Sequence, residues 1–437
     1  MAESGKELSM NNIASISENR LIFFDNLRFL FVLGVVLQHS SNAYNGMIWW
    51  PVADHTPSIP AEWVNAFIDA FAMPLLFYIA GYFAVPTLNK KGAAAFLKGK
   101  LKRLGIPWLI CILAVCPVVQ LVYHYTRDNF TLSTDYWRLW TDLIKNAADF
   151  NIGIILSMNE LMQNNQFYQR YMWFLSLLLL FFFIFSAIYC LKKSWFDASD
   201  LPLKPETSSV LSTLKIMAVV GLLTFICSSV MINAMFFLVP KLSNPEPFFT
   251  LGNIIQFRPS RIFLFVIYFI FGILTFKNKW IERGKFPGHL FTWLVSFVVV
   301  LIAFFYARNL MLNGSADIKK FLGPVFFWFC LNFLTITTLG LAASLALKYW
   351  NRPAAVNQNL ASNSYNMYLS HYLFVIVFQL ILLTVSEMSG SLKFVLVSTI
   401  SILCSYVVCE FLIKPFPRGT AAAVFVLFIL MVFTIHP

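Results

Sequence analysis

Charged residues are unusually rare in this sequence. Asp, Glu, Lys and Arg make up 12% of the 437 residues, whereas a soluble protein carries about 25%. Hydrophobic residues make up 59%, and phenylalanine alone occurs 47 times. This composition excludes an ordinary soluble enzyme and favours one polytopic membrane protein.

Metal-binding and repeat patterns are also missing from the sequence. The seven cysteines lie in apolar stretches without CxxC spacing, so neither a metal site nor a disulfide framework is predicted. The two-half symmetry of many transporters is not visible either. Basic residues outnumber acidic ones by 32 to 20, but they flank the apolar runs, which indicates membrane topology rather than a nucleic-acid partner.

Apolar runs of roughly 17–25 residues, the length that a bilayer core requires, recur along the chain. They predict an all-α polytopic transmembrane helix bundle with 10–11 spans. We expect a cytoplasmic N-terminal tail (1–20), a transmembrane domain (21–418) and an additional C-terminal span (419–437). The spans are predicted near 21–43, 63–86, 104–125, 172–191, 216–239, 260–276, 290–307, 323–347, 365–386, 393–412 and 420–436.

The distribution of basic residues predicts the orientation. Alternate connections carry 20 and 11 Lys and Arg residues, and the richer set includes the N-terminus. The positive-inside rule therefore places the N-terminus in the cytoplasm. Two connections are longer than the rest. The outer one, 126–171, contains a predicted amphipathic helix, and the inner one, 192–215, is predicted to be a flexible linker.

The first span contains three ionisable residues, which are expensive in a bilayer and mark functional sites by default. Arg28 and His39 are 11 positions apart, within about 20° of three helical turns, so they project from one face about 16 Å apart. Asp25 can pair with Arg28. One interpretation is a structural ion pair with a histidine at the helix end; the other is a polar line with a general base, His39, at its outer end.

A basic loop follows the second span. Residues 87–103 contain six basic residues and no acidic one. Positive-inside topology and attraction to anionic lipid explain part of this charge. A phosphate-rich donor such as acyl-CoA needs a similar cluster, and Lys98, Lys100 and Arg103 are the candidate ligands.

Other buried or aromatic residues have two interpretations each. Asp69 either pairs with a buried cation such as Arg28 or lines a cavity. His371, predicted six residues into the ninth span and in its cytoplasmic half, is either a structural hydrogen-bonding group or part of the donor side. Glu410 and Lys414 are predicted to form a structural pair. The outer tryptophans either anchor the membrane interface or stack on sugars; they are Trp49, Trp50, Trp137 and Trp140.

The order of these features resembles the membrane-bound acyltransferase-3 family. Arg28 and His39 resemble its first-span signature, and Lys100 stands where the family has the first of two arginines three positions apart. The WFL stretch after Met172 is similar to the branch that modifies osmoregulated periplasmic glucans. The similar motifs are MPLLFYIAGYF (73–83), FLKGKLKRLGIPW (96–108), YMWFLSLLL (171–179) and SYNMYLSHYLF (364–374).

The resemblance implies an O-acyltransferase that passes an acetyl or succinyl group from cytosolic acyl-CoA, a co-substrate, to a glycan hydroxyl. In that interpretation Lys100 and Arg103 hold the CoA phosphates and Arg28 supplies positive charge at the thioester. His39 acts as general base or carries the acyl group covalently. No bound cofactor is predicted. The alternative is a transporter or flippase for a glycan, lipid or acyl carrier, because buried charges along a cavity also suit a carrier.

Overall fold

In a computed structural model, the chain forms a bundle of long helices with a small sheet at one end. The structure describes residues 2–128, 130–131, 135–148, 152–193, 209–239, 246–281, 286–352 and 354–434. Among these residues, ten helical segments are long and apolar enough to cross a bilayer. A helix bonds its backbone groups within its own segment, which a hydrocarbon environment requires. The predicted all-α bundle is thus confirmed.

Ten apolar spans arise from eleven helices, because α3 and α4 join through a π-helical turn at Leu101–Gly105. The helices are α1 (Ala2–Ser41), α2 (Ile59–Lys91), α3 (Ala93–Lys100), α4 (Ile106–Tyr125), α5 (Tyr136–Ala148), α6 (Met158–Gln163), α7 (Trp173–Leu191), α8 (Val210–Leu238), α9 (Pro259–Lys277), α10 (Leu290–Asn313), α11 (Gly323–Tyr349), α12 (Ala355–Leu383), α13 (Gly390–Val408) and α14 (Pro417–Thr434). Helices α5, α6 and α14 are not among the ten spans, and α14, in the predicted eleventh span, is the shorter apolar helix.

The connections lie alternately at two ends of the bundle. The sheet end carries three antiparallel strands, in which β1 (Ile152–Ile155) pairs with β2 (Phe248–Leu251) and β2 pairs with β3 (Ile255–Phe257). The basic-loop end carries the turn between α2 and α3. Helix α1 continues back to Ala2 through the predicted N-terminal tail, and most of the predicted linker, 194–208, lies outside the described residues.

Helix α5 confirms the amphipathic helix predicted in the segment 126–171. Its buried side chains, Tyr136, Leu139 and Leu143, pack against α4 with Leu121. Trp140 donates a hydrogen bond from Nε1 to a backbone oxygen of α4 at 3.0 Å. The helix is therefore fixed to the bundle at its sheet end.

Helices α2 and α9 pack so closely that only glycine fits at two crossing points. A side chain at Gly81 would overlap the backbone carbonyl of Phe269, and one at Gly272 would overlap the carbonyl of Tyr78. Small residues permit this approach between membrane helices, where packing replaces the hydrophobic driving force. The contact brings Asp69 of α2 beside the first turn of α9.

Candidate active site

Two cavities lie next to each other inside the bundle. The cavity at the sheet end has a volume of about 270 Å³ and contains His39; we call it the His39 cavity. The cavity at the basic-loop end has a volume of about 520 Å³ and contains Arg28; we call it the Arg28 cavity. Tyr368 lines both. The polar face predicted for the first span therefore serves two successive cavities, with His39 in one and Asp25 and Arg28 in the other.

The imidazole of His39 pairs with that of His371, which lies 332 positions further along the chain on α12. Nδ1 of His39 is 2.8 Å from Nε2 of His371, and the rings are nearly parallel. Nδ1 of His371 lies 3.1 Å from the carbonyl oxygen of Met367, which only accepts hydrogen bonds, so this nitrogen carries a hydrogen. In the neutral ring Nε2 of His371 then accepts from His39, which leaves Nε2 of His39 unprotonated and able to act as a base.

The backbone around His39 is fixed by Gln379 of α12. The Gln379 amide nitrogen donates to the carbonyl oxygens of Ser40 at 3.1 Å and His39 at 3.3 Å. Its amide oxygen accepts from Nε1 of Trp50 at 2.8 Å. Trp50 is buried and its ring lies 5.7 Å from that of His39. These contacts hold the histidine in one position at the cavity wall.

An ion-pair cluster forms another wall of the His39 cavity. Arg261 donates to Asp69 Oδ2 at 3.0 Å and to Glu246 Oε1 at 2.9 Å. Arg258 lies 3.2 Å from Glu246 and 3.6 Å from Asp69. Burial lowers the pKa of Arg258, but the two carboxylates raise it further, so the net pKa is above its ordinary value. Within the described ranges, no three His, Cys, Asp or Glu side chains are grouped as a metal site requires.

Sequence reasoning missed Arg170, Glu246, Arg258 and Arg261. The missed signal was position: Arg170 and Arg258 lie directly before predicted apolar spans, and Arg261 is the second residue of one, at the end that the positive-inside rule leaves poor in basic residues. Asp69 pairs with a buried cation, as one of its two predicted interpretations has it, but the partners are Arg258 and Arg261 at the crossing of α2 and α9 rather than Arg28. The lining role predicted as the alternative for Asp69 is confirmed.

The Arg28 cavity combines basic groups with an apolar wall. Arg28 forms the predicted ion pair with Asp25. The Lys100 ammonium lies 4.0 Å from the ring centre of Phe182, and the Arg103 guanidinium lies 5.5 Å from that of Tyr365. The cavity lining also includes Leu76, Ile79, Phe83, Phe174, Leu175 and Leu178. Such a site suits a ligand with an anionic end and an apolar or neutral arm.

The structure separates some of the other candidates from the two cavities. Lys98 is exposed and does not line the Arg28 cavity, because it lies on the opposite side of α3 from the buried Phe96. Trp49 and Trp50 line the His39 cavity. Trp137 and Trp140 instead pack on α4 with α5.

The predicted depth of His371 was wrong. Helix α12 begins at Ala355, 16 residues before His371, so this residue reaches the level of His39 rather than the donor side. The early turns of α12 are polar, and hydropathy alone does not recognise them as part of a span. Two of their amide nitrogens donate to Glu410, that of Asn359 at 2.9 Å and that of Asn363 at 2.6 Å. Glu410 also forms the predicted pair with Lys414, at 2.8 Å.

A polytopic helix bundle in which a histidine pair lines one cavity and basic side chains line the next has the arrangement expected of a membrane-embedded group-transfer enzyme. The sequence profile described as an acyltransferase domain (acyltransferase-3) matches residues 21–410, so this chain belongs to the acyltransferase-3 family and is a membrane acyltransferase.

Curated relatives share part of the chain. It is 32% identical over 152 residues to the glucans biosynthesis protein C of Salmonella paratyphi B, Salmonella heidelberg and Salmonella dublin. The aligned part covers 33% of this chain and 39% of each relative, so the match spans about two-fifths of the length of those proteins. No solved structure matches the chain.

Proposed function

We propose that this membrane acyltransferase moves an acetyl or succinyl group from acyl-CoA to a hydroxyl of a glycan. The observation that carries the proposal is that two chemically different cavities share Tyr368: a basic one with an apolar wall, and a polar one with a histidine base. The relatives named for glucan biosynthesis support a glycan as the acceptor.

The Arg28 cavity is the proposed donor site. Lys100, Arg103 and Arg28 offer positive charge to the phosphates of CoA, and Lys98 is too far outside the lining to share this role. The helical rise places Arg28 about 16 Å from His39. An extended pantetheine arm is long enough to bridge this distance and to bring the thioester to the wall at Tyr368. Arg28 therefore acts on the donor rather than at the reacting carbonyl.

The His39 cavity is the proposed acceptor site. Nε2 of His39 takes the proton of the sugar hydroxyl while the oxygen attacks the thioester carbon. The new ester bond forms, the carbon–sulfur bond breaks, and the CoA thiolate takes the proton from His39. In the alternative route, His39 Nε2 attacks the thioester carbon first, the carbon–sulfur bond breaks and CoA leaves as the thiolate. The sugar oxygen then takes the acyl group from the imidazole, the nitrogen–acyl bond breaks, and the hydroxyl proton passes to the thiolate. Both routes use the same unprotonated nitrogen.

The orientation proposed from the sequence suits these assignments. With the N-terminus in the cytoplasm, the Arg28 cavity faces cytosolic acyl-CoA and the His39 cavity faces the outside of a plasma (inner) membrane. The excess of basic residues at the basic-loop end supports this orientation.

Sealed proteoliposomes containing the purified protein test the proposal. Radiolabelled acetyl-CoA or succinyl-CoA is supplied on one side and periplasmic glucan extract on the other. Label in the glucan supports a transferase, and the side from which the donor works gives the orientation. No transfer with either donor, together with movement of glucan or lipid across the membrane, would overturn the proposal in favour of a transporter.

Neutralising the donor site is expected to weaken acyl-CoA binding. Hydrogen bonds to charged groups contribute about 1.5–3 kcal/mol each, so Lys100→Gln and Arg103→Gln should each raise the KM for acyl-CoA by roughly 10- to 100-fold. At saturating donor, kcat should change little. The matched control is Lys98→Gln, on the exposed side of the same helix, which should leave KM within about twofold because such charges are solvated. If all three substitutions raise the KM for acyl-CoA equally, the donor is attracted by the overall positive charge of the loop and not bound at a specific site.

His371 is expected to act as a positioning residue for His39. Loss of a hydrogen bond of about 1–3 kcal/mol predicts that His371→Leu lowers kcat by roughly 5- to 150-fold with little change in KM. His371→Gln should retain more activity, since its amide oxygen can accept from His39 Nδ1. Initial rates and thermal unfolding of both variants provide the check. If His371→Leu and His371→Gln lose the same kcat and both have a lowered melting temperature, His371 has a packing role only.

A further inference from the structure

Arg170 is a buried cation whose charge the structure does not neutralise. Its residue is 4% exposed, and it lies at the start of the α7 span, where it lines the His39 cavity. No carboxylate pairs with it among the described residues: one terminal nitrogen donates to the amide oxygen of Gln120, the other contacts the neutral thioether sulfur of Met162, and Nε has no hydrogen-bond partner. A buried guanidinium in this state is costly, since several hydrogen-bonding positions remain open.

The other charged residues of the His39 cavity do not neutralise Arg170 either. Asp69 and Glu246 are already engaged by Arg258 and Arg261, which leaves Arg170 as the excess positive charge of the lining. Tyr168, over whose ring the guanidinium lies at 5.7 Å, does not neutralise it. Burial raises the pKa of Tyr168 to about 12, so its hydroxyl remains protonated.

The backbone at Arg170 is strained in a way that aims its side chain. Its φ is +54°, in the left-handed region that a residue with a Cβ adopts at a cost of about 1–3 kcal/mol. Such strain persists only where surrounding contacts impose it. The next residue, Tyr171, is held by hydrogen bonds with α12: its hydroxyl donates to Leu369, and its carbonyl accepts from Tyr368. These bonds fix the turn that directs Arg170 into the cavity.

Tyr372 links Arg170 to the base. The ring centre of Tyr372 is 5.2 Å from that of His39 and 4.5 Å from that of Tyr171, the residue after Arg170, and all four residues line the same cavity. A carbonyl attacked beside His39 therefore lies in the cavity that Arg170 lines. Arg28, in contrast, lies in the other cavity.

We propose that Arg170 is the electrophilic residue of the reaction: its guanidinium holds the thioester carbonyl oxygen and stabilises the negative charge that develops there. This proposal rests on the function proposed above. When the sugar oxygen or His39 Nε2 bonds to the carbonyl carbon, the carbonyl π electrons move to the oxygen, which becomes an oxyanion beside Arg170. The oxyanion then collapses, the C=O bond re-forms, and the carbon–sulfur bond breaks. Preorganised positive charge of this kind is most effective in a buried site.

The test compares Arg170→Ala with the wild type in proteoliposomes. Removal of one oxyanion donor predicts a fall in kcat of about 10²–10³-fold, with the KM for acyl-CoA nearly unchanged. Added guanidinium or methylguanidinium should restore at least tenfold of the lost rate. The matched control is Arg127→Ala at the same end of the bundle, where the guanidinium holds the carbonyls of Trp50 and Pro51. Its defect is structural and should not be rescued by either cation.

A second variant keeps the test decisive if Arg170→Ala does not fold. Arg170→Gln has a similar length and one amide donor but no charge, and should still lose kcat by about tenfold or more. A wild-type kcat in Arg170→Gln, or a higher KM with unchanged kcat, overturns the assignment. Wild-type transfer is measured first: its absence overturns the proposed function, whereas transfer that is insensitive to Arg170 overturns only this inference.

Discussion

His39→Ala is expected to lower the rate of acyl transfer by about 10²–10⁴-fold, the contribution typical of a positioned general base. The physical reason is the pairing with His371, which leaves Nε2 of His39 as the unprotonated nitrogen of the cavity. Initial rates of label transfer into glucan, at saturating acyl-CoA, measure the effect. The KM for acyl-CoA should stay near the wild-type value, since the donor site lies in the other cavity.

His55→Ala is the matched control for this prediction. His55 is an exposed histidine in the loop at the same end of the bundle and does not line the His39 cavity. Its removal should change the rate by no more than about twofold, as surface substitutions usually have small effects. Equal rates in wild type and His39→Ala would leave the enzyme intact but remove the histidine from its chemistry.

The two chemical routes through His39 differ in one observable. If the histidine carries the acyl group, labelled acyl-CoA without acceptor should label the wild-type protein, and His39→Ala should remain unlabelled. If it acts as a general base, neither protein is labelled, although the wild type still transfers label when glucan is added.

Asp54→Asn is expected to destabilise the protein by about 3–5 kcal/mol, because it leaves Lys393 as a buried charge without a counterion. The Lys393 ammonium lies 2.9 Å from Asp54 Oδ2, and the two side chains are 1% and 3% exposed. Asp54 also accepts hydrogen bonds from the backbone nitrogen and hydroxyl of Thr56. The measurement is thermal unfolding of the detergent-solubilised protein, where the midpoint should fall by several degrees.

Glu62→Gln provides the matched control for the buried pair. Its partner is Arg308, and the two side chains are 36% and 21% exposed. Solvent screens this pair, so its loss should cost about 0–1 kcal/mol. The double variant Asp54→Asn, Lys393→Met should recover part of the stability, since it removes the buried charge as well. An unchanged midpoint in Asp54→Asn would show that Lys393 finds another partner or reaches water.

The Asp54–Lys393 pair also bears on the site. It attaches the loop before α2 to the first turn of α13, and this loop carries Trp49 and Trp50, which line the His39 cavity. We therefore expect Asp54→Asn to raise the KM for the glucan more than the KM for acyl-CoA. Asp54→Asn should therefore disturb the acceptor cavity at the sheet end. The KM for acyl-CoA, which reports on the donor cavity, serves as the internal reference.

The sequence by itself determined the architecture and part of the site. Long apolar runs specify spanning helices, because no other arrangement satisfies the backbone in hydrocarbon. The spacing of Arg28 and His39 placed both on one helical face, and their separation along the axis follows from helix geometry. The motifs around Lys100, Arg103 and His371 indicated the family, which the profile match over residues 21–410 confirmed.

Only the tertiary structure decided which charges meet. His39 and His371 are brought together by the packing of α1 against α12, and Asp69 meets Arg258 and Arg261 because glycines allow α2 and α9 to approach. In the sequence, Arg170 and Arg258 are indistinguishable from charges that flank a span, and Arg261 is only the second residue of one. The physical reason is that periodicity and hydropathy describe each helix alone, whereas the partner of a buried charge depends on the depth and rotation at which helices distant in sequence pack.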